Sequence, residues 1–361
     1  MSVGEARMPA SGQTPVPVVD VEAMDRNIAA MAATARRQGL ALRPHAKTHK
    51  CVEIARRQVA AGAVGLTVAT VGEAEVFVDA GVTDDVFIAY PLWVVGERAR
   101  RLRALSERAA IRVAVDSAPG ARQLAAAVAG ATEVLVEIDS GHHRTGVNPG
   151  QAGEIARAAS DAGLEVAGVF TFPGHGYAPT RPSQAAADEA AALQEAASSL
   201  TQAGIRPRVL SGGSTPTAGY TRDGLTELRP GVYVFGDAQQ LELGTITTDE
   251  VALWVEATVV SARPGTIVLD AGSKVLGADQ PAWISGGGRL LDRPGARITA
   301  LSEHHATVTL GLEQPSPELG DTIRVIPNHV CTAVNLADQL HAVHSGGNYE
   351  RWTVAARGAN R

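Results

Sequence analysis

One pattern constrains this chain more than any other. A short apolar run, a loop and an alanine-rich helical segment recur through most of the stretch before Gly244. The apolar runs fall at 40–42, 64–68, 86–89, 111–115, 133–138, 166–170 and 208–210, with an eighth near 225–228 or 232–235. Helical patterns lie between them, at 51–61, 71–80, 96–108, 119–129, 149–162 and 183–203. Gly62, Gly81, Gly163 and Gly204 stand where helix C-caps belong. Apolar runs alternating with helices are the mark of parallel strands buried on both faces. Seven or eight of them in about 200 residues favour a closed (β/α)8 barrel. Periodicity alone leaves a doubly wound open sheet as the alternative.

Past Gly244 the rhythm changes. Runs at 251–260, 266–270, 296–301, 306–312, 321–326 and 349–356 read as strands between Gly, Pro and Asp turns, and no long helix interrupts them. The expected organisation is therefore a flexible arm over 1–14, a β/α barrel over 15–244 and an all-β domain over 245–361. The strand at 15–19, followed by Asp20 as an N-cap and a helix through Met24, Ile28, Met31 and Ala35, can belong to the barrel or join the β-domain. The chain's 361 residues, 45% of them hydrophobic and 19% charged, are enough for a sizeable core in each part. A net charge of −6 without a dense basic run excludes nucleic acid as a natural partner. No apolar run reaches the roughly 18 residues of a membrane span. Cys51 and Cys331 make no disulfide framework, and residues 1–13 lack the apolar centre of a secretory signal, so a cytoplasmic enzyme is expected.

In a β/α barrel the chemistry sits where the strands end. After the first strand comes Arg43-Pro44-His45-Ala46-Lys47-Thr48-His49-Lys50, and after the fifth Asp139-Ser140-Gly141-His142-His143-Arg144-Thr145-Gly146. The sixth leads into Phe172-Pro173-Gly174-His175-Gly176-Tyr177, the seventh into Ser211-Gly212-Gly213-Ser214-Thr215-Pro216-Thr217, and the last into Arg229-Pro230-Gly231-Val232-Tyr233. Nearly every unusual polar cluster of the first part falls at a strand mouth, which solvated loops alone would rarely achieve. Lys47 in a dry pocket would present a nucleophilic amine to a carbonyl. The Gly/Ser/Thr loop after the seventh strand has the composition of a phosphate cradle, at the place where barrels commonly hold one. Gly231 and Val232 can add amide donors. A phosphate site and a buried lysine in one barrel point to pyridoxal 5′-phosphate (PLP) held as a Schiff base. Arg144 would then donate to the cofactor's phenolic oxygen. Arg229 would face the pyridine nitrogen and, staying charged, would leave it unprotonated and weaken the ring as an electron sink. Taken singly, each of these has a plainer reading, as a surface arginine, an ordinary turn or a solvated loop.

Help for the chemistry can come from Pro327-Asn328-His329-Val330-Cys331. His329 and Cys331, two apart, would share one face of an extended segment, and imidazole with thiolate suits Zn2+. Two ligands are half a site, so substrate and water must complete it. The metal could then act as a Lewis acid on a substrate hydroxyl. The plainer alternative is a core cysteine beside a surface histidine.

Together these motifs resemble the D-threonine aldolase/D-serine dehydratase family, fold-type III PLP enzymes with an alanine-racemase-like barrel. The resemblance rests on the segment from Arg43 to Lys50, on Glu137-Ile138-Asp139 through Gly146, on Pro173-Gly174-His175 and on Ser211 to Thr217. It continues through Glu227 to Tyr233 and Asp270-Ala271-Gly272-Ser273-Lys274, in the family's order, and runs from about Pro15 to the C-terminus. It implies that Lys47 carries the cofactor and that Arg144 meets its phenolic oxygen. It also implies that Gly213, Ser214, Thr215, Gly231 and Val232 contact the phosphate, and that Arg229 stands at the racemase position facing the ring nitrogen. His329 and Cys331 fall on the family's metal pair. Aldolases of the family look like His-Cys-Asp, whereas its D-serine dehydratases carry His-x-Cys with zinc. A magnesium-dependent relative acting on 3-hydroxyaspartate also has His-x-Cys, so Mg2+ or Mn2+ stays open beside Zn2+.

The leading expectation is a PLP- and metal-dependent D-serine dehydratase-type lyase, releasing a keto acid and ammonia. Lys47 would be the catalytic base and His175 an alternative acid or base, with His45 and His49 as supporting groups. Retro-aldol cleavage of D-threonine or a similar D-β-hydroxy amino acid is the alternative. An amino-acid racemase is more remote: the second base of alanine-type racemases is usually a tyrosine from the partner's β-domain, and no tyrosine lies between Tyr233 and Tyr349. A PLP-binding protein without catalysis would have no reason to keep His329 and Cys331. The resemblance also implies a head-to-tail homodimer.

Overall fold

The computed structural model describes residues 13–128, 132–220, 223–311 and 315–361. All but the end of the arm expected over 1–14 lies outside them. The chain forms two compact units, neither continuous in sequence. One comprises residues 30–47, 54–231 and 358–361, and the other the chain up to Ala29, residues 48–53 and residues 232–357.

The chain opens with β1 (Val16–Asp20) and α1 (Val21–Arg37). The barrel strands follow: β2 (Ala41–Leu42), β3 (Leu66–Val68), β4 (Asp85–Pro91), β5 (Ala110–Val115), β6 (Glu133–Glu137), β7 (Glu165–Phe170), β8 (Val209–Gly212) and β9 (Glu227–Leu228). All pair in parallel, each beside its sequence neighbour from β3 to β9, and β9 returns to β2 through Ala41 opposite Glu227. Backbone bonds from Val64 to Leu42 and from Thr67 to Pro44, both 2.9 Å, close the ring. This is the expected (β/α)8 barrel. The eighth strand is the one at 227–228; Val232–Val234 is a 3-10 turn instead.

The intervening helices are α2 (Val52–Ala60), α3 (Val71–Asp79), α4 (Gly96–Ser106), α5 (Ala118–Ala127), α6 (Ala152–Asp161) and α7 (Pro182–Gln202). Local chemistry sets their ends. The Thr70 hydroxyl caps α3 by accepting from the Glu73 amide, and Ser117 caps α5 from Gly120. Pro182 opens α7, and Gly204 stops it at φ +80.

The barrel interior is layered. At the floor, Arg43 pairs with Glu227 at 2.7 Å and with Asp85 at 2.8 Å, and Ser211 donates to Glu227 at 2.7 Å. Above it Phe87 and Phe170, on β4 and β7, meet edge to face with centroids 4.9 Å apart. Strands three places apart can touch only across the interior, so Ala114, Leu135 and Ala167, in the same cluster, also point inward. Alternation along β6 then turns Glu137 inward at the upper end.

The second unit is mostly strand. β10 (Leu253–Arg263) runs through its middle. β11 (Thr266–Leu269), β12 (Gly288–Leu290), β13 (Arg297–Leu301), β14 (Ala306–Thr309), β15 (Thr322–Pro327), β16 (Gln339–Val343) and β17 (Tyr349–Thr353) complete one nine-stranded sheet with β1. β1 is antiparallel to β10 and parallel to β16. The strand before Asp20 thus joins this sheet, burying Val18 against Trp254, Ile326 and Val343. The unit is not purely β, because α8 (Ala238–Glu242), α9 (Ser273–Leu276) and α10 (Val330–Leu336) interrupt it. No helix among the described residues is long and apolar enough to cross a membrane.

Candidate functional site

In the barrel unit, the loops that leave the strands converge on the ring of Phe172. Lys47 Nζ lies 5.9 Å from its centroid, the Arg144 guanidinium 5.4 Å, and the His142 ring meets it edge-on at 5.4 Å. Lys47 sits half-buried in the 3-10 turn Ala46–Thr48, and Arg144 is exposed. The loop after β6 is shaped by Asp139, whose Oδ1 accepts from the Gly141 and His143 amides at 2.8 and 3.0 Å. Asp139 is partly desolvated, but these bonds and the His143 ring outweigh that and hold its carboxyl below the ordinary range.

Beneath the loops lie two polar groups with open valences. Glu137 accepts from Thr145 at 2.9 Å through Oε1, while its buried Oε2 has no hydrogen-bond partner among the described residues. Burial pushes this carboxyl up to about 7, against the Thr145 hydrogen bond and the Arg144 charge. Arg229 is fully buried with its guanidinium 5.5 and 5.1 Å from the Phe87 and Phe170 rings. It donates to the Thr171 carbonyl, and its Nε is unpartnered among the described residues. Burial depresses its pKa, while Glu227, Glu189 and Glu137 act to keep it charged.

The loop after β8 takes a specific form. Gly213 adopts φ +80, and a Cβ there would lie 2.2 Å from Leu228 Cδ1. Its amide donates to Glu189 Oε1 at 2.6 Å, and the Ser214 amide donates to Thr217 Oγ1 at 2.9 Å. Those two amides are thus engaged internally, and the Ser214 hydroxyl meets Thr217 Oγ1 at 3.0 Å, so the expected donors in this loop already have partners. Glu189, fully buried on α7, has its carboxyl pushed up to about 7 by burial, against the Gly213 amide and the Arg229 charge. His175 lies in the 3-10 turn Gly174–Gly176 with Nε2 3.2 Å from Asp188.

Val232, His329 and Cys331 belong to the other unit. The structure corrects the expected extended His-x-Cys segment. Only His329 is extended, at φ −130 and ψ 106, as the N-cap of α10, and Cys331 lies in that helix's first turn. The cap bends the chain so that the two side chains still meet in a hydrogen bond. His329 Nδ1 lies 2.6 Å from Asp279 Oδ2, and the Cys331 thiol donates to Thr48 Oγ1 at 3.3 Å. Desolvation opposes protonation of His329, but Cys331 and Asp279 outweigh it and hold its pKa far above the ordinary value. Asp237, fully buried, accepts from the Val330 amide at 3.2 Å. Burial pushes its carboxyl up to about 6, although His329 and the hydrogen-bonded amides act the other way. In the same unit His49 is buried and its Nδ1 accepts from the Cys51 amide.

The residues present fit both groups that the sequence implies. For PLP, the barrel offers a lysine amine at a strand mouth, two buried polar atoms awaiting partners and a glycine cradle that a Cβ would fill. For a metal, an imidazole with its Nδ1 committed and an adjacent thiol form a borderline-soft donor pair. No cluster of three or more His, Cys, Asp or Glu able to hold a metal occurs among the described residues, so the pair would need outside ligands.

Fold and lysine loop together define a class. Residues 19–239, more than half of the chain, match the family described as alanine racemase, N-terminal domain, and the protein belongs to it. Residues 252–343 match a putative serine dehydratase domain. Among full-length relatives, the D-threo-3-hydroxyaspartate dehydratase of Delftia sp. (strain HT23) is 35% identical, over 94% of this chain and 96% of that protein. The D-threonine aldolase of an Arthrobacter species is 37% identical over 96% and 93%. The solved Delftia dehydratase superposes with a TM-score of 0.85 at 33% identity, covering 94% of this chain and 97% of that one. The D-threonine aldolase structure from Filomicrobium marinum gives 0.87 at 34%, covering 99% and 100%.

Sequence reasoning did not single out Glu189, Asp237 or Asp279, and it quoted Glu137 only within a motif. A signal existed for Glu189, which interrupts the apolar stripe Ala185, Ala186, Leu193, Ala196 and Leu200 of α7. It existed for Glu137 too, two residues beyond inward Leu135. Asp279 had none, being fifty residues from the histidine it meets.

Proposed function

We propose that this chain is a PLP-dependent, divalent-metal-assisted lyase that removes water from D-β-hydroxy amino acids, D-serine being the simplest. The observation that carries the dehydratase type is the contact between His329 and Cys331, a pair that the family's dehydratases, rather than its aldolases, are expected to carry. A D-threo-3-hydroxyaspartate dehydratase with a cysteine replaced by alanine, solved in the metal-free form, supports metal dependence in this family.

Lys47 would hold the cofactor, with Arg144, Arg229, Gly213, Ser214, Thr215, Gly231 and Val232 around it, and His329 with Cys331 would hold the metal. Bound PLP supplies an electron sink for charge developing at Cα, and the metal supplies a Lewis acid for the β-hydroxyl. Lys47 Nζ, the amine at a strand mouth, would be the group to take the α-proton. Arg229, buried beside the Phe87 and Phe170 rings with Glu227, Glu189 and Glu137 favouring its charge, would limit how far the PLP ring accepts electrons. The expected head-to-tail homodimer is part of this reading.

A second reading, retro-aldol cleavage, has the support of the Arthrobacter relative. D-Threonine separates the two. Supplied with PLP and Zn2+, the enzyme is expected to release 2-oxobutanoate and ammonia. Glycine and acetaldehyde in their place would refute dehydration.

A further inference from the structure

The segment that carries His329 is gripped from one residue. Asp279 Oδ2 accepts from His329 Nδ1 at 2.6 Å and from the Thr332 hydroxyl at 2.8 Å. The Asp279 carbonyl accepts from Asn328 Nδ2 at 3.2 Å, and the same amide group reaches the Gly286 carbonyl at 2.9 Å. One aspartate thus holds the residue before the histidine, the histidine itself and the first turn of the helix it caps.

That arrangement has a chemical consequence. An imidazole nitrogen facing a carboxylate keeps its N–H, so a cation that displaces the ring's other proton meets the Nε2 lone pair, with the remaining proton fixed on Nδ1. The carboxylate also makes the ring a stronger donor. The two ring nitrogens point away from opposite edges, so a carboxylate on the Nδ1 edge cannot share a cation held by Nε2. We infer that Asp279 is a positioning residue for a divalent cation at His329 and Cys331: it sets the tautomer and direction of the imidazole without ligating the ion. This rests on the metal reading of that pair.

The test uses the PLP-loaded protein, stripped of metal by a chelator and titrated with Zn2+ against a chromophoric competitor. PLP content is read from absorbance. Asp279→Ala is expected to weaken Zn2+ binding by about tenfold to a hundredfold. Asp279→Asn, whose amide oxygen can still accept from Nδ1, falls between that variant and the parent, and PLP content stays at the parent level in both. If Asp279→Ala does not fold, Asp279→Asn decides alone, with a loss of about tenfold expected. Zn2+ affinity within twofold of the parent overturns the inference while leaving the metal reading intact. Equal, complete loss of Zn2+ in both variants makes Asp279 a ligand and also overturns it. A parent that loads PLP but binds no Zn2+ defeats the metal reading and this inference together.

Discussion

Glu189 offers a sharp test of the electrostatics beneath the loop after β8. Its carboxyl is fully buried, accepts the Gly213 amide, and is pushed from the ordinary 4.5 up to about 7, because desolvation outweighs that amide and the Arg229 charge. A raised folded-state pKa has a definite sign. Between pH 4.5 and about 7 the folded chain keeps a proton that the unfolded chain has lost. Stability from this group is therefore complete below 4.5 and is lost as pH rises through about 7. At about 1.4 kcal/mol per pH unit, the integrated loss is about 3 kcal/mol. Glu189→Gln keeps the shape and the oxygen that accepts from Gly213 but cannot ionise. The variant should match the parent near pH 5 and exceed it at pH 8. At about 2–4 °C per kcal/mol for a unit of this size, the melting temperatures should differ by about 6–12 °C at pH 8. Thermal melts of the cofactor-free chain by far-UV circular dichroism, at one scan rate, read this directly. A difference that stays constant from pH 5 to 8 would mean that Arg229 keeps Glu189 ionised throughout, and the reasoning from burial would fail.

Two further outcomes follow from the barrel. Arg43→Met strips Glu227 of its nearest cation at the floor, leaving it the Ser211 hydroxyl and Arg112 at 3.9 Å, and should cost about 3 kcal/mol, the lower end for breaking a buried pair; a loss below about 1 kcal/mol in the same melts would show the network to be dispensable. Gly213→Ala places a methyl 2.2 Å from Leu228 Cδ1 at a φ of +80, so Leu228 must shift and the loop is strained in its present conformation. PLP should then be lost on gel filtration while the parent retains it, and equal retention would remove this loop from the cofactor site.

Much of the barrel was legible because its strands are apolar on both faces and its helices stop at glycines, signals that act within a few residues. The strand mouths followed from those units, and with them Lys47, Arg144 and the loop after β8. The eighth strand was ambiguous because Glu227 and Leu228 are too short a run to show a period, while Val232 to Phe235 is longer and more apolar yet turns after Pro230. His329 and Cys331 were legible as a pair but not in their geometry, which depends on a cap whose conformation no spacing reveals. The partners that tune the candidate groups, Glu189 on another helix and Asp279 on a distant loop, lie beyond any local pattern.

β1 carries a consequence for how the molecule is made. It leaves the ribosome before the strands it pairs with, β10 about 240 residues later and β16 about 320 residues later. At roughly 5–20 residues per second, tens of seconds of synthesis separate the strand from its second neighbour. Until β10 is made Val18 and Val19 have no sheet to enter, while the barrel segments emerge behind them. A nascent chain halted before Leu253 should therefore carry β1 as an adhesive, unpaired strand.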